Sequence, residues 1–88
     1  MINLKSDDND EITGAQIRAA RGLLRWSAKE LAMAASIGVA TISRAEVQDG
    51  RPPLTSANLK AIRKAFEDRG IEFIPTNGGG VGVRFKNP

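Results

Sequence analysis

Eighty-eight residues support one small domain and are too few for a second hydrophobic core. With 41% hydrophobic and 26% charged residues, the chain has the composition of a soluble globular protein. It shows no apolar run near the roughly 20 residues of a membrane span and no signal-peptide pattern, so a cytoplasmic protein without a membrane partner is expected. Cysteine and histidine are both absent, which excludes zinc fingers, disulfide staples, thiol chemistry and every histidine-based acid–base mechanism.

In chain order, residues 1–11 are polar and acidic, with Asp7, Asp8, Asp10 and Glu11 against Lys5. They are expected to form a flexible acidic tail. The remaining chain carries twelve basic residues against six acids, a balance of +6 behind an overall charge of +3. A basic body of that kind suits a polyanion partner.

Helix starts then recur with one signature. Thr13 precedes Gln16, and Ser27 precedes Glu30, at capping-box spacing. Ile12 with Ile17, and Trp26 with Leu31, stand at the hydrophobic-staple positions around them. Gly38, flanked by Ile37 and Ile42, and Thr55, flanked by Leu54 and Leu59, repeat the arrangement. The pattern predicts helices over 14–24, 28–35, 39–47 and 56–69, with Gly70 as a C-terminal glycine cap. Core candidates are Ile17, Ala20, Leu24, Trp26, Leu31, Ala32, Ala35, Ile37, Ile42, Ala45, Leu59, Ile62 and Phe66. Trp26 reads as a core plug rather than a stacking platform.

After Gly70 the period changes to two. "IEFIP" and "VGVRFK" read as strands, and "TNGGG" between them as a hairpin loop. A phosphate cradle is the poorer reading of the three glycines, because no helix follows and no Lys-Ser/Thr pair is present. The predicted fold is therefore mainly α: a flexible tail (1–11), a four-helix domain (12–69) and a C-terminal β-hairpin (70–88).

Helices two and three are joined by only Ser36, Ile37 and Gly38, the spacing of a helix-turn-helix. Ser27 with Glu30, Leu31 and Ala32, then Ile37, then Thr41-Ile42-Ser43-Arg44 with Glu46, then Arg51-Pro52, resemble the lambda-repressor/Cro-type (xenobiotic-response-element) helix-turn-helix regulators. The likeness spans about residues 12–66. It implies a lambda-repressor-like DNA-binding domain whose third helix enters the major groove. Val39, Ala40, Ser43 and Arg44 would then read bases: Val39 and Ala40 through thymine methyls, Arg44 through two hydrogen bonds to guanine. Phosphate contacts are expected from Arg25, Ser27, the Ala28 backbone, Lys29, Thr41 and Arg51. Arg21 and Glu46 match a structural ion pair between the first and third helices of several members. The chain departs from the family at Ala28, commonly glutamine, at Ser36, commonly glycine, and at Gln48, where the loop glycine has moved to Gly50.

The implied function is sequence-specific binding of double-stranded DNA, as a homodimeric transcriptional regulator on a two-fold symmetric operator, with no cofactor and no metal. Ile71, Phe73, Ile74, Val81, Val83 and Phe85 exceed what one small core needs, so the hairpin is expected to build the dimer interface. The rival reading is an antitoxin or adaptor that keeps the fold and mainly binds a partner protein. An enzyme is not expected, since no two acids stand in a recognisable catalytic arrangement.

Overall fold

The computed structural model describes residues 11–88. Four helices are followed by a two-stranded antiparallel hairpin: α1 (Gly14–Leu24), α2 (Ala28–Ala35), α3 (Val39–Glu46), α4 (Ser56–Glu67), β1 (Ile71–Ile74) and β2 (Gly82–Phe85). The acidic tail expected over 1–11 lies outside the described residues except for Glu11. No helix among the described residues is long and apolar enough to cross a membrane.

The helix starts form as their residues dictate. At α1, Thr13 Oγ1 accepts the Gln16 amide at 3.1 Å while Gln16 Oε1 accepts the Thr13 amide at 2.9 Å. Ser27 and Glu30 close the same reciprocal box at α2, at 3.1 and 2.7 Å, and Thr55 Oγ1 caps α4 through Asn58 at 3.1 Å. Helices α1 and α2 both end in a non-glycine residue in the left-handed region, Arg25 and Ser36, each at φ 58°. Beyond them the Trp26 and Ile37 amides return to the Arg21 and Ala32 carbonyls, both at 2.9 Å. That geometry makes the turn between α2 and α3 tight. Helix α4 stops two residues before the expected end, because the Arg69 and Gly70 amides turn back onto Phe66 and Glu67 at 2.9 and 3.0 Å, with Gly70 at φ 86°.

Phe66 sits at the centre of the core. Trp26 stacks on it at 5.7 Å between ring centroids, and Phe73 meets its edge at 5.9 Å. Ile17, Leu31, Ile42 and Ile62 close around this aromatic line, and Ile12, Ala65 and Pro52 are buried with them. Leu24, Trp26, Ala35 and Ile37 pack at the margin, only partly buried.

The hairpin is where the expected division of labour is corrected. Ile71 and Phe73, read as dimerisation residues, are 2% and 7% exposed and belong to the chain's own core. The reason is packing: β1 lies against α4, and the Phe73 ring fills the space beside Phe66. Val83 is partly buried against the same core and Ile74 is half-buried, so among the six only Val81 and Phe85 are substantially exposed. The hairpin is thus a layer of the core and not an appendage.

Gln16 fastens that layer. Its amide Nε2 donates to the Ile74 and Gly82 carbonyls at 3.2 and 2.9 Å, while its Oε1 serves the cap of α1. Gln16→Glu keeps the shape but turns a carboxylate oxygen toward two carbonyls. It should destabilise the fold by about 2–4 kcal/mol near neutral pH, with part of the loss recovered in acid, where the protonated carboxyl can donate. Urea unfolding at two pH values checks both statements.

Two glycines of α1 contrast with each other. A Cβ on Gly14 would lie 2.6 Å from the Ala45 carbonyl oxygen and closer still to that of Gln48, whereas one on Gly22 would meet nothing within 4 Å. Gly14→Ala is therefore expected to cost about 2–4 kcal/mol by forcing α1 from the end of α3. Gly22→Ala should stabilise by about 0.5–1 kcal/mol through helix propensity. Denaturant midpoints of the two variants measured side by side test the pair.

Candidate nucleic-acid interface

Helix α3 is short and strictly two-sided. Ile42 and Ala45 are buried, whereas Val39, Ala40, Ser43 and Arg44 are all exposed and Thr41 is half-buried at the flank. Positions 39, 40, 43 and 44 share one side of a helix by periodicity, so the four residues named from sequence form one face. Glu46, the one acid of α3, turns toward α1 instead.

There it meets Arg21. The guanidinium holds the carboxylate with two bonds, Nε–Oε2 at 2.7 Å and Nη2–Oε1 at 2.8 Å, and its Nη1 donates to the Trp26 carbonyl at 2.8 Å. The side chains are 24% and 11% exposed, which makes this a partly desolvated, bidentate pair rather than a loose surface contact. The hydrogen bond to Glu46 is the main cause that raises the Arg21 pKa above its ordinary value. Arg18, one turn earlier on α1, donates from Nη1 to the Glu46 carbonyl at 2.7 Å and pairs with the Asp49 carboxylate. The first amides of α1 complete the attachment, with Gly14 N–H on the Gly50 carbonyl at 2.8 Å and Ala15 N–H on that of Asp49 at 3.3 Å. Sequence reasoning found Arg21 and Glu46 but missed Arg18. Its place three residues before Arg21, on the same side of α1, was the available signal.

The phosphate contacts expected around this face stand in different situations. Arg25 and Lys29 are exposed on either side of the α2 cap. Arg51 is already engaged, its Nη1 lying 2.9 Å from the Glu11 carboxylate. At Ser27 the amide donates to Glu30 Oε1 and the hydroxyl oxygen accepts the Glu30 amide, which leaves the hydroxyl proton as its remaining donor. The Ala28 and Lys29 amides, in the first turn of α2, have no partner within the helix by geometry. Arg69 was not foreseen. Its guanidinium lies 5.2 Å over the Trp26 ring, beside the segment that carries Arg25.

Comparison with protein-family models and with curated proteins found no match for the chain.

The Arg21–Glu46 pair yields a stability test that needs no ligand. Removing either partner alone leaves the other partly buried and unpaired, so Arg21→Met and Glu46→Leu should each cost about 2–4 kcal/mol. The double variant should lose clearly less than the sum, with a coupling of about 1–3 kcal/mol. A double-mutant cycle in guanidinium chloride measures it.

Proposed function

We propose that this chain is a sequence-specific double-stranded-DNA-binding protein of the lambda-repressor/Cro type, acting as a transcriptional regulator and as a homodimer on a two-fold symmetric operator. The observation that carries the reading is the outer face of α3: Val39, Ala40 and Ser43 are small, Arg44 is its cation, and the helix's one carboxylate is held away from it by Arg21.

The physical fit is with the major groove. A helix with its side chains is about 10–12 Å across, close to the groove's width of about 12 Å. Bulky residues on the entering face would hold the helix out, and acids would face phosphates. A small, acid-free face meets both conditions. Arg44 can span O6 and N7 of one guanine, Ser43 can reach a base edge or a phosphate, and Val39 and Ala40 offer apolar contact to thymine methyls. Arg25, Lys29, Thr41 and the Ala28 and Lys29 amides suit phosphates flanking the groove. Arg51 joins them by exchanging Glu11 for a phosphate oxygen, a small step because an exposed pair contributes only about 0–1 kcal/mol.

A second reading, an antitoxin or adaptor that mainly holds a partner protein, is favoured by one observation, the half-exposed Phe85 on β2 and Val81 just before it. Selection of bound sequences from a random duplex pool separates the two, since an adaptor enriches no motif. Within the DNA-binding reading, Arg44→Ala should lose about 1–3 kcal/mol of specific affinity and relax preference at one G·C pair per half-site. Arg51→Ala should weaken binding to all duplexes alike and make the salt slope shallower by about one unit. Affinity titrations on the selected site and on a scrambled one, at several salt concentrations, distinguish these outcomes.

A further inference from the structure

The hydrogen-bond register of the hairpin determines which backbone groups remain to bond outward. Ile74 and Gly82 stand directly opposite each other, and both carbonyls converge on the single Gln16 amide. Opposed carbonyls can approach one donor in that way only at a hydrogen-bonded pair, where both point into the ladder. The other end of the hairpin agrees, since the Lys86 amide donates to the Gly70 carbonyl at 2.8 Å in the same register. Glu72 and Arg84 are therefore also a hydrogen-bonded pair. The amides and carbonyls of Ile71 and Phe73 on β1, and of Val83 and Phe85 on β2, point away along the two edges.

The two edges are not equivalent. Both strands pack on helices, β1 on α4 and β2 on α1, but on β1 the edge residues Ile71 and Phe73 have their side chains in the core. On β2 Phe85 stays 46% exposed, and Val81, immediately before the strand, 39%. An outward-bonding strand with half-exposed apolar side chains invites another strand.

The sequence of β2 is complementary to itself in one register. In an antiparallel pair of two copies, a two-fold axis can fall on residue 82, 83, 84 or 85. On Arg84 it sets two arginines directly opposite, and on Phe85 it sets Arg84 against Lys86; like charges so placed are destabilising. On Gly82 it places Phe85 against Gly79 of the loop and leaves the ring uncovered. On Val83 it places Val81 opposite Phe85 of the second copy, twice, with Arg84 opposite Gly82 and Lys86 opposite Gly80. Only this register covers both exposed apolar side chains and opposes no like charges.

We propose that two copies of this chain associate edge to edge through β2, antiparallel, with the two-fold axis at Val83, forming a continuous four-stranded sheet. Four-residue strands bury little area, so the dimer belongs to the small, weak class of interfaces, and its population rises with concentration. The dimer of the DNA-binding reading would be this one, but the assembly does not depend on that reading and is tested without DNA.

The chain has no cysteine, so introduced thiols report alone. Gly82→Cys is accommodated, because a Cβ there meets only the Ile74 side chain, at 3.7 Å and beyond. In the proposed register residues 82 and 84 of opposite copies form a non-hydrogen-bonded pair, whose Cα atoms lie about 4.5 Å apart, within disulfide reach. On mild oxidation, a mixture of Gly82→Cys and Arg84→Cys chains should form a disulfide-linked heterodimer several-fold more abundant than either homodimer. Dominant homodimer from Arg84→Cys alone, or no preference in the mixture, overturns the register. The second measurement is light scattering across a concentration series of the unaltered chain and of Val83→Pro. That proline removes an outward amide and no bond to β1, so it should abolish the dimer and leave the circular dichroism spectrum unchanged. A monomer at every concentration, or a Val83→Pro chain that dimerises as before, overturns the edge pairing.

Discussion

The side chain of Gln16 lies 3% exposed in an otherwise apolar core and has two lone pairs and two N–H groups to satisfy. Oε1 takes the amide and hydroxyl of Thr13, and Nε2 gives one proton each to Ile74 and Gly82. No buried polar side-chain atom among the described residues is left without a partner. A single amide thereby ties the start of the first helix to both strands of the hairpin, some sixty residues away in sequence. An apolar residue could fill that volume but could not answer the carbonyls of Ile74 and Gly82. This group pins the loop end of the hairpin to α1, while the packing of β1 on α4 and of Phe73 on Phe66 buries Ile71 and Phe73.

Helix α1 is consequently the frame of the molecule. Its first turn carries Gln16 toward the hairpin and Gly14 toward the loop after α3, while Arg18 and Arg21 reach the end of α3 itself. The close approach at Gly14 has no space for a methyl group. A bidentate ion pair and a guanidinium on the helix C-terminus converge on the same eight-residue helix, and backbone bonds hold the loop that follows it. A helix that short has little stability of its own, and its orientation is set by these attachments.

Charge is organised by the same contacts. Glu46, Asp49 and Glu11 are each held by an arginine, and Glu72 lies across from Arg84 on the outer side of the hairpin. The hydrogen bonds from Arg84 hold the Glu72 carboxyl below the usual range. Its contribution to the hairpin is therefore present above the ordinary glutamate pKa and fades only as pH falls through the lowered value. Glu46 is neutralised on the inner side of α3, and Arg25, Lys29 and Arg44 remain exposed. Surface positivity is thereby concentrated without any large excess of basic residues.

The sequence by itself determined the helices, because each start is a local matter: Thr13 with Gln16 and Ser27 with Glu30 need only three residues between them to close a capping box. It determined the hairpin too, since alternation and the glycine loop are local signals, and the exposed face of α3, since periodicity alone separates Val39, Ala40, Ser43 and Arg44 from Ile42 and Ala45. Tertiary structure decided everything that depends on distance along the chain. Ile71 and Phe73 read as surplus apolar residues in the sequence, yet both are buried in the core, Phe73 against the edge of Phe66. Arg51 carries no sign in the sequence of its partner Glu11, which lies forty residues earlier and against it in the fold. Gln16 and Gly14 carry no local mark of their tertiary roles, because hydrogen bonds between remote segments and a missing methyl group at a close approach exist only once the backbone has folded.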